Sequence, residues 1–191
     1  ILVCGLHTPS TEVEFTYPSD FKQKILKKYP DYKVHLGPLP SVGRINHYIE
    51  RLYRHTECQW DLFMNLLETE KWDFAMYVCQ GTDQIQHALW HYMDPKHPLY
   101  PGETEFKNSI LEFYQNIDSF LSRLISTYKA NIFIVSDHGA GGVYKFINLN
   151  NWLKKTGFLK LKNTPLTVIK KLLYACNITP LSIFNLMVKL G

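Results

Sequence analysis

The stretch "IFIVSDHGAGG" (residues 132–142) decides the fold that the sequence predicts. Four apolar residues run directly into Ser136, Asp137 and His138, and three of the next four residues are glycines. A short apolar run bounded by turn residues is typical of a buried strand. The sequence therefore predicts a strand over residues 131–136 that presents a carboxylate and an imidazole at its end.

Two further stretches have the character of strands. "WDFAMYVC" (72–79) is almost continuously apolar, as in a strand that is covered on both faces, and "ILVCG" (1–5) resembles a shorter one. Stretches with helical periodicity lie between them, the longest over residues 46–67 and 103–128. Strands that alternate with helices favour an α/β fold, with a mainly parallel sheet and helices on both faces.

Both longer strands are followed by chemically active side chains. Asp83 and His87 come shortly after the stretch 72–79, and a spacing of four places them on one face of a helix. In neighbouring parallel strands, these two and the pair Asp137 and His138 would meet at the carboxyl edge of the sheet. A carboxylate with an imidazole suits zinc, manganese or iron, and two such centres suit attack on phosphorus.

Each pair also has a simpler interpretation. Alone, Asp83 and His87 would be a solvated pair on a helix, and Asp137 and His138 would be a turn with a capped backbone. A metal site is favoured because both pairs directly follow a predicted buried strand.

The composition is that of a globular protein with an uneven charge distribution. The chain has 191 residues, about one domain, and a formal net charge of +4. Residues 1–137 carry 13 Lys and Arg against 17 Asp and Glu, whereas residues 138–191 carry eight Lys and no acid. A basic tail suggests anionic partners such as phosphate esters, or else a solvated face. Nucleic acid is not an expected partner, because the lysines lack interleaved arginine and aromatic residues.

The cysteines and the apolar stretches bear on the compartment. Four widely spaced cysteines, with no C-x-x-C pair, predict reduced thiols and a cytoplasmic protein. No apolar stretch is long enough to predict a membrane span. The oligomeric state is not predicted by any of these features.

The stretches "DFAMYVCQGTDQIQHALWHYMDPKHPLY" (73–100) and "IFIVSDHGAGG" together resemble the alkaline phosphatase superfamily, in its type I phosphodiesterase/nucleotide pyrophosphatase-like branch. The resemblance implies an alkaline phosphatase-like core and two divalent metal ions, zinc or manganese. It implies that Asp83 and His87 bind one metal and that Asp137 and His138 bind the other. The expected substrate is a small phosphate ester, and His91 and His97 are weaker candidates for contacts with it.

The resemblance also implies what this stretch of chain lacks. The family's upstream Asp ligand and its Ser or Thr nucleophile match no residue here, and no His follows His138. We therefore expect an internal fragment of a metal-dependent phosphodiesterase, with residues 1–165 as a partial core and 166–191 as a C-terminal helical extension. The chain alone would then be inactive. The alternatives are a non-catalytic module that binds a metal or a partner, and a phosphonate hydrolase or phosphoglycerate mutase activity.

Overall fold

The computed structural model describes residues 1–5, 8–37, 39–40 and 43–160. These residues form two short strands, five α-helices and one 3-10 helix at Glu105–Asn108. In chain order the strands and α-helices are β1 Leu2–Val3, β2 Thr16–Tyr17, α1 Phe21–Lys28, α2 Ile45–Thr69, α3 Gly81–Met93, α4 Ser109–Thr127 and α5 Leu149–Lys155.

The fold class predicted from the sequence is wrong. The described part of the chain is mainly helical, and its one sheet consists of β1 and β2 in antiparallel register, with Leu2 opposite Tyr17 and Val3 opposite Thr16. A strand was predicted over residues 1–5 and is present as β1, but its partner β2 was not predicted. Neither residues 72–79 nor residues 131–136 form a strand, so the described residues contain no parallel sheet.

The segment 72–79 forms no strand, and most of its side chains are exposed. Tyr77 packs against Trp60 and Phe63, with ring centroids 5.3 and 5.2 Å apart. Phe74, Met76 and Val78 point the other way and are exposed. The prediction of a strand covered on both faces is wrong here, because a strand also needs a ladder partner, and no local pattern supplies one.

The segment 131–136 differs more strongly from the prediction. Phe133 is 86% exposed, and Ile134 and Val135 are exposed as well. An apolar run predicts burial only where other elements come to cover it, and none does so among the described residues. The prediction of a buried strand that ends in Asp137 and His138 is therefore wrong.

The helices agree with the prediction much better. The helices predicted over 46–67 and within 103–128 are confirmed as α2 and α4, and the one predicted around 83–93 is confirmed as α3. One face of each carries the apolar residues, and these faces pack together. The resulting core cluster contains Leu36, Tyr48, Leu52, Ile85, Ala88, Leu89, Ile110 and Phe113.

A second cluster joins the N-terminal segment to the other end of α2. Phe15 and Tyr32 stack with ring centroids 5.6 Å apart, and Ile25 of α1 and Leu62 of α2 pack against them. Cys4 and Cys58 lie at the edge of this cluster, and both are free thiols, as is Cys79. The reduced state predicted for these three cysteines is consistent with that arrangement.

The described residues form parts of two compact units, Ile1–Tyr144 and Lys145–Gly191. Within the second unit, α5 is preceded by the N-cap residue Asn148, whose side chain accepts a hydrogen bond from the backbone N–H of Asn151 at 3.0 Å. Such a cap satisfies one of the free N–H groups at a helix start.

The helical extension predicted for 166–191 lies outside the described residues, and the boundary at 165 stays a prediction. No helix in the described ranges has the length and apolar character that crossing a bilayer requires.

One buried side chain predicts how stability depends on pH. His55 of α2 is buried, and its Nε2 has no hydrogen-bond partner among the described residues. Burial lowers the pKa of His55 to about 4, and the nearby positive groups His35, Lys33 and Arg51 have smaller effects in the same direction. An unfolded histidine has a pKa near about 6.5, so between these values the unfolded chain binds more protons. Stability should therefore be complete above about pH 6.5 and decrease as the pH falls towards 4.

We expect the free energy of unfolding to fall by on the order of 2 kcal/mol over this range through His55. Urea denaturation at pH 7 and pH 4.5 measures it. His55→Leu should remove most of the dependence, and the exposed control His47→Leu should leave it unchanged. An equal pH dependence in His55→Leu and in the unmodified chain would contradict the prediction.

Candidate functional site

Asp83 and His87 lie side by side on the exposed face of α3. Their closest atoms, His87 Nε2 and Asp83 Oδ1, are 3.3 Å apart, and about half or more of each side chain is open to solvent. The helix orients them this way because Ile85, Ala88 and Leu89 are buried in the core on its opposite side. The exposed pair predicted from the spacing of four is therefore present, with one carboxylate oxygen beside one imidazole nitrogen.

Asp137 and His138 lie in the loop that follows residues 131–136. His138 Nε2 is 3.8 Å from Asp137 Oδ2, and the Asp137 side chain is 91% exposed. Two short contacts shape this turn: Ser136 Oγ donates to the His138 carbonyl at 2.5 Å, and His138 Nδ1 lies 2.8 Å from the Gly139 carbonyl. Nδ1–H can donate to that carbonyl, which leaves Nε2 with a free lone pair.

The surroundings of His138 raise its pKa. The hydrogen bond to the Gly139 carbonyl contributes most to raising the pKa of His138, followed by Asp137 and then Asp83. Asp83 has the smallest of these effects. The two pairs lie 54 positions apart in the chain, and the sheet edge at which they were expected to meet is absent from the described residues.

The glycines after His138 are not in the left-handed conformation that glycine favours in tight turns. The left-handed glycines of the described chain are Gly37, Gly43, Gly102 and Gly157. Around Gly139 and Gly141 there is open space, whereas a Cβ on Gly142 would lie 3.0 Å from the Tyr144 ring and 3.1 Å from Trp90 Nε1. Among the glycines after His138, only Gly142 lets the backbone pass close to the side chains of Tyr144 and Trp90.

His91 and His97 lie together near the C-terminal end of α3. Their ring centroids are 5.9 Å apart, and His97 is also 6.1 Å from the ring of Tyr144. Partial burial, and then the nearby His97, lower the pKa of His91. His97 Nδ1 accepts a hydrogen bond from the Leu99 backbone N–H at 3.1 Å, so its Nε2 is the ring nitrogen that faces a potential ligand.

Asp94 and Tyr144 are the site residues that the sequence did not suggest. The Tyr144 hydroxyl donates to Asp94 Oδ2 at 2.5 Å and is the main cause of the lowered pKa of Asp94. Trp90 Nε1 donates to the same oxygen at 3.4 Å. Positions 83, 87, 90 and 94 recur at the spacing of one helix face, and this pattern could have identified Asp94 from the sequence. No such signal exists for Tyr144, whose partner lies 50 positions away.

The donor atoms at these positions are chemically suited to divalent metals, although each pair is incomplete. Carboxylate oxygens and imidazole nitrogens are usual zinc ligands, and a metal-bound histidine commonly donates its other N–H to a backbone carbonyl, as His138 can to Gly139. Among the described residues, however, no three His, Cys, Asp or Glu side chains come together in a group that could hold an ion. Each pair thus offers two candidate ligand side chains.

Comparison with known proteins places these motifs in a family. A sequence model described as type I phosphodiesterase / nucleotide pyrophosphatase matches residues 4–181, which include both aspartate–histidine pairs and the Asp94–Tyr144 contact. Comparisons with curated proteins and with solved structures gave no match.

Proposed function

This chain belongs to the type I phosphodiesterase/nucleotide pyrophosphatase family, and from that membership we propose that it carries part of the two-metal centre of a phosphodiesterase or nucleotide pyrophosphatase. The family hydrolyses phosphoric esters and typically uses divalent metals. The substrate of the site is then a phosphate ester, and the ions are zinc or manganese.

Each aspartate–histidine pair binds one ion in this proposal. Asp83 and His87 hold the first through one carboxylate oxygen and one imidazole nitrogen, and Asp137 and His138 hold the second. His91 and His97 lie further along α3 and contact the phosphate or the rest of the substrate. When bound, such ions neutralise phosphate oxygens and activate a hydroxyl group or a water molecule.

The observation that carries the proposal is the arrangement of His138. Its Nδ1 is 2.8 Å from the Gly139 carbonyl, so the tautomer that donates there leaves Nε2 free for a metal. Both pairs lie within the residues that the family model matches, which supports assigning them to one centre. Zinc in catalytic sites normally has three protein ligands, so with two ligands per pair we expect weak, exchangeable binding.

A second function has an observation in its favour. The described residues contain no group of three metal ligands, which favours a non-catalytic module that binds one metal or a partner. The two functions differ in one measurable property, because a partial two-metal centre requires both pairs to bind metal, whereas the module requires at most one of them to do so.

The test uses the purified chain, bis-p-nitrophenyl phosphate, and zinc or manganese. We expect metal binding, measured by competition with a chromophoric chelator, to weaken at least tenfold in the double variants Asp83→Asn, His87→Ala and Asp137→Asn, His138→Ala. The matched control Asp118→Asn, His47→Ala changes an exposed aspartate and histidine elsewhere and should bind as the unmodified chain does. Turnover should be weak or absent, because each pair supplies only two ligands.

The outcomes separate the alternatives. Metal binding that weakens in both double variants supports the partial two-metal centre, and a loss confined to one double variant favours the binding module. Turnover that both variants abolish would show that residues within this chain complete the catalytic site. Binding that is equal in all variants and in the control would overturn the assignment of the four ligands.

A further inference from the structure

The exposed face of α3 carries more than the first metal pair. Asp83, His87, Trp90 and Asp94 follow one another at spacings of four, three and four, so they form one stripe along the helix. At 1.5 Å per residue, Asp94 lies about 10 Å beyond His87 along the axis. One end of the stripe therefore carries candidate metal ligands, and the other end carries a hydrogen-bonded carboxylate.

That carboxylate is held by donors on both of its oxygens. Asp94 Oδ2 accepts hydrogen bonds from the Tyr144 hydroxyl at 2.5 Å and from Trp90 Nε1 at 3.4 Å. Asp94 Oδ1 accepts one from the backbone N–H of Lys96 at 2.9 Å. Hydrogen bonds to an ionised acceptor are shorter and stronger than neutral ones, and three together fix the direction of the group.

The contact attaches an otherwise loose segment to the helix. Within unit Ile1–Tyr144, no other hydrogen bond of the described residues joins the segment 131–144 to the remainder of the unit. Gly142 supports the contact because its backbone passes so close to Trp90 and Tyr144 that a side chain would not fit without displacement. From His138 to Gly142 the chain can span at most about 14 Å, so the attachment limits where His138 can go.

We propose that the Tyr144–Asp94 hydrogen bond is a latch that holds the loop of Asp137 and His138 against the stripe of α3, which makes Tyr144 and Asp94 positioning residues for the metal site. The inference rests on the proposed function, because it assigns the latch to the same two ligand pairs. The Tyr144–Asp94 hydrogen bond restricts the loop before metal binds, so the loop loses less conformational entropy when its ligands meet those of α3.

Two variants of the full chain test the latch. Tyr144→Phe removes the hydroxyl donor and keeps the ring, and the matched control Tyr100→Phe removes a hydroxyl that donates to the exposed carboxylate of Glu103 at 3.1 Å. We expect Tyr144→Phe to weaken zinc or manganese binding about tenfold, and Tyr100→Phe to change it by less than about twofold. Urea denaturation should give the same free energy of unfolding for both variants.

A double-mutant cycle shows whether the effect passes through the ligands. In the Asp137→Asn, His138→Ala background, Tyr144→Phe should cause no further loss of metal binding, because the latch then has no ligand to position. NMR order parameters of residues 138–142, measured without metal, should fall towards about 0.6 in Tyr144→Phe and stay unchanged in Tyr100→Phe.

The possible failures can be told apart. Absence of metal binding by the unmodified chain overturns the proposed function and, with it, the positioning role. Normal metal binding with equal affinity in Tyr144→Phe and Tyr100→Phe overturns the latch alone, as do unchanged order parameters. A tenfold loss that persists in the background without the loop ligands means that Tyr144 acts by another route, and this also overturns the latch.

Discussion

Replacing Phe113 by alanine should lower the free energy of unfolding by about 3–5 kcal/mol. Phe113 is completely buried on α4 and packs edge-to-face on Tyr53, with ring centroids 5.1 Å apart. It lies in the core cluster that α2, α3 and α4 share, so its removal leaves a cavity bordered by all three helices. Urea denaturation followed by far-ultraviolet circular dichroism measures the loss.

Phe133→Ala is the matched control, because it makes the same chemical change in the segment that the sequence predicted as a buried strand. Phe133 is 86% exposed, so we expect a change within about 0.5 kcal/mol. A loss as large as that of Phe113→Ala would mean that residues 131–136 are covered in solution. It would contradict the helical fold and not just one contact.

The second large effect is expected at Gly81, the first residue of α3. A Cβ placed there would lie 2.6 Å from Phe113 Cζ and 2.7 Å from Thr56 Oγ1, both in a closely packed junction of three helices. Alanine is otherwise favoured over glycine in a helix, but this overlap forces neighbouring groups to move. Gly81→Ala should therefore destabilise the protein by about 1–3 kcal/mol in thermal or urea unfolding.

Gly139→Ala provides the comparison, because nothing lies within 4 Å of a Cβ at that position and its backbone is not left-handed. It should leave stability unchanged or raise it by up to about 1 kcal/mol, since alanine restricts the unfolded chain. The effect of Gly81→Ala should also shrink in a Phe113→Ala background, where the closest obstructing ring is absent. Equal effects of Gly81→Ala in both backgrounds would show that Phe113 is not the obstacle.

Within the candidate site, the sequence predicted local geometry correctly, and the metal-binding roles stay a prediction. A spacing of four is enough to place Asp83 and His87 side by side once a helix forms, and the 3.3 Å contact has that origin. The contact of Tyr144 with Asp94 depends on residues 50 positions apart in the chain. No periodicity within either segment contains that information.

The sequence by itself determined the helices of this protein, because an α-helix forms its hydrogen bonds within one segment and its apolar face recurs every three to four residues. It also determined family membership, which rests on a match to residues 4–181. Only the tertiary structure decided which extended segments pair as strands. A strand takes its hydrogen bonds from another part of the chain, and here Leu2–Val3 found Thr16–Tyr17, whereas residues 72–79 and 131–136 found no ladder partner among the described residues.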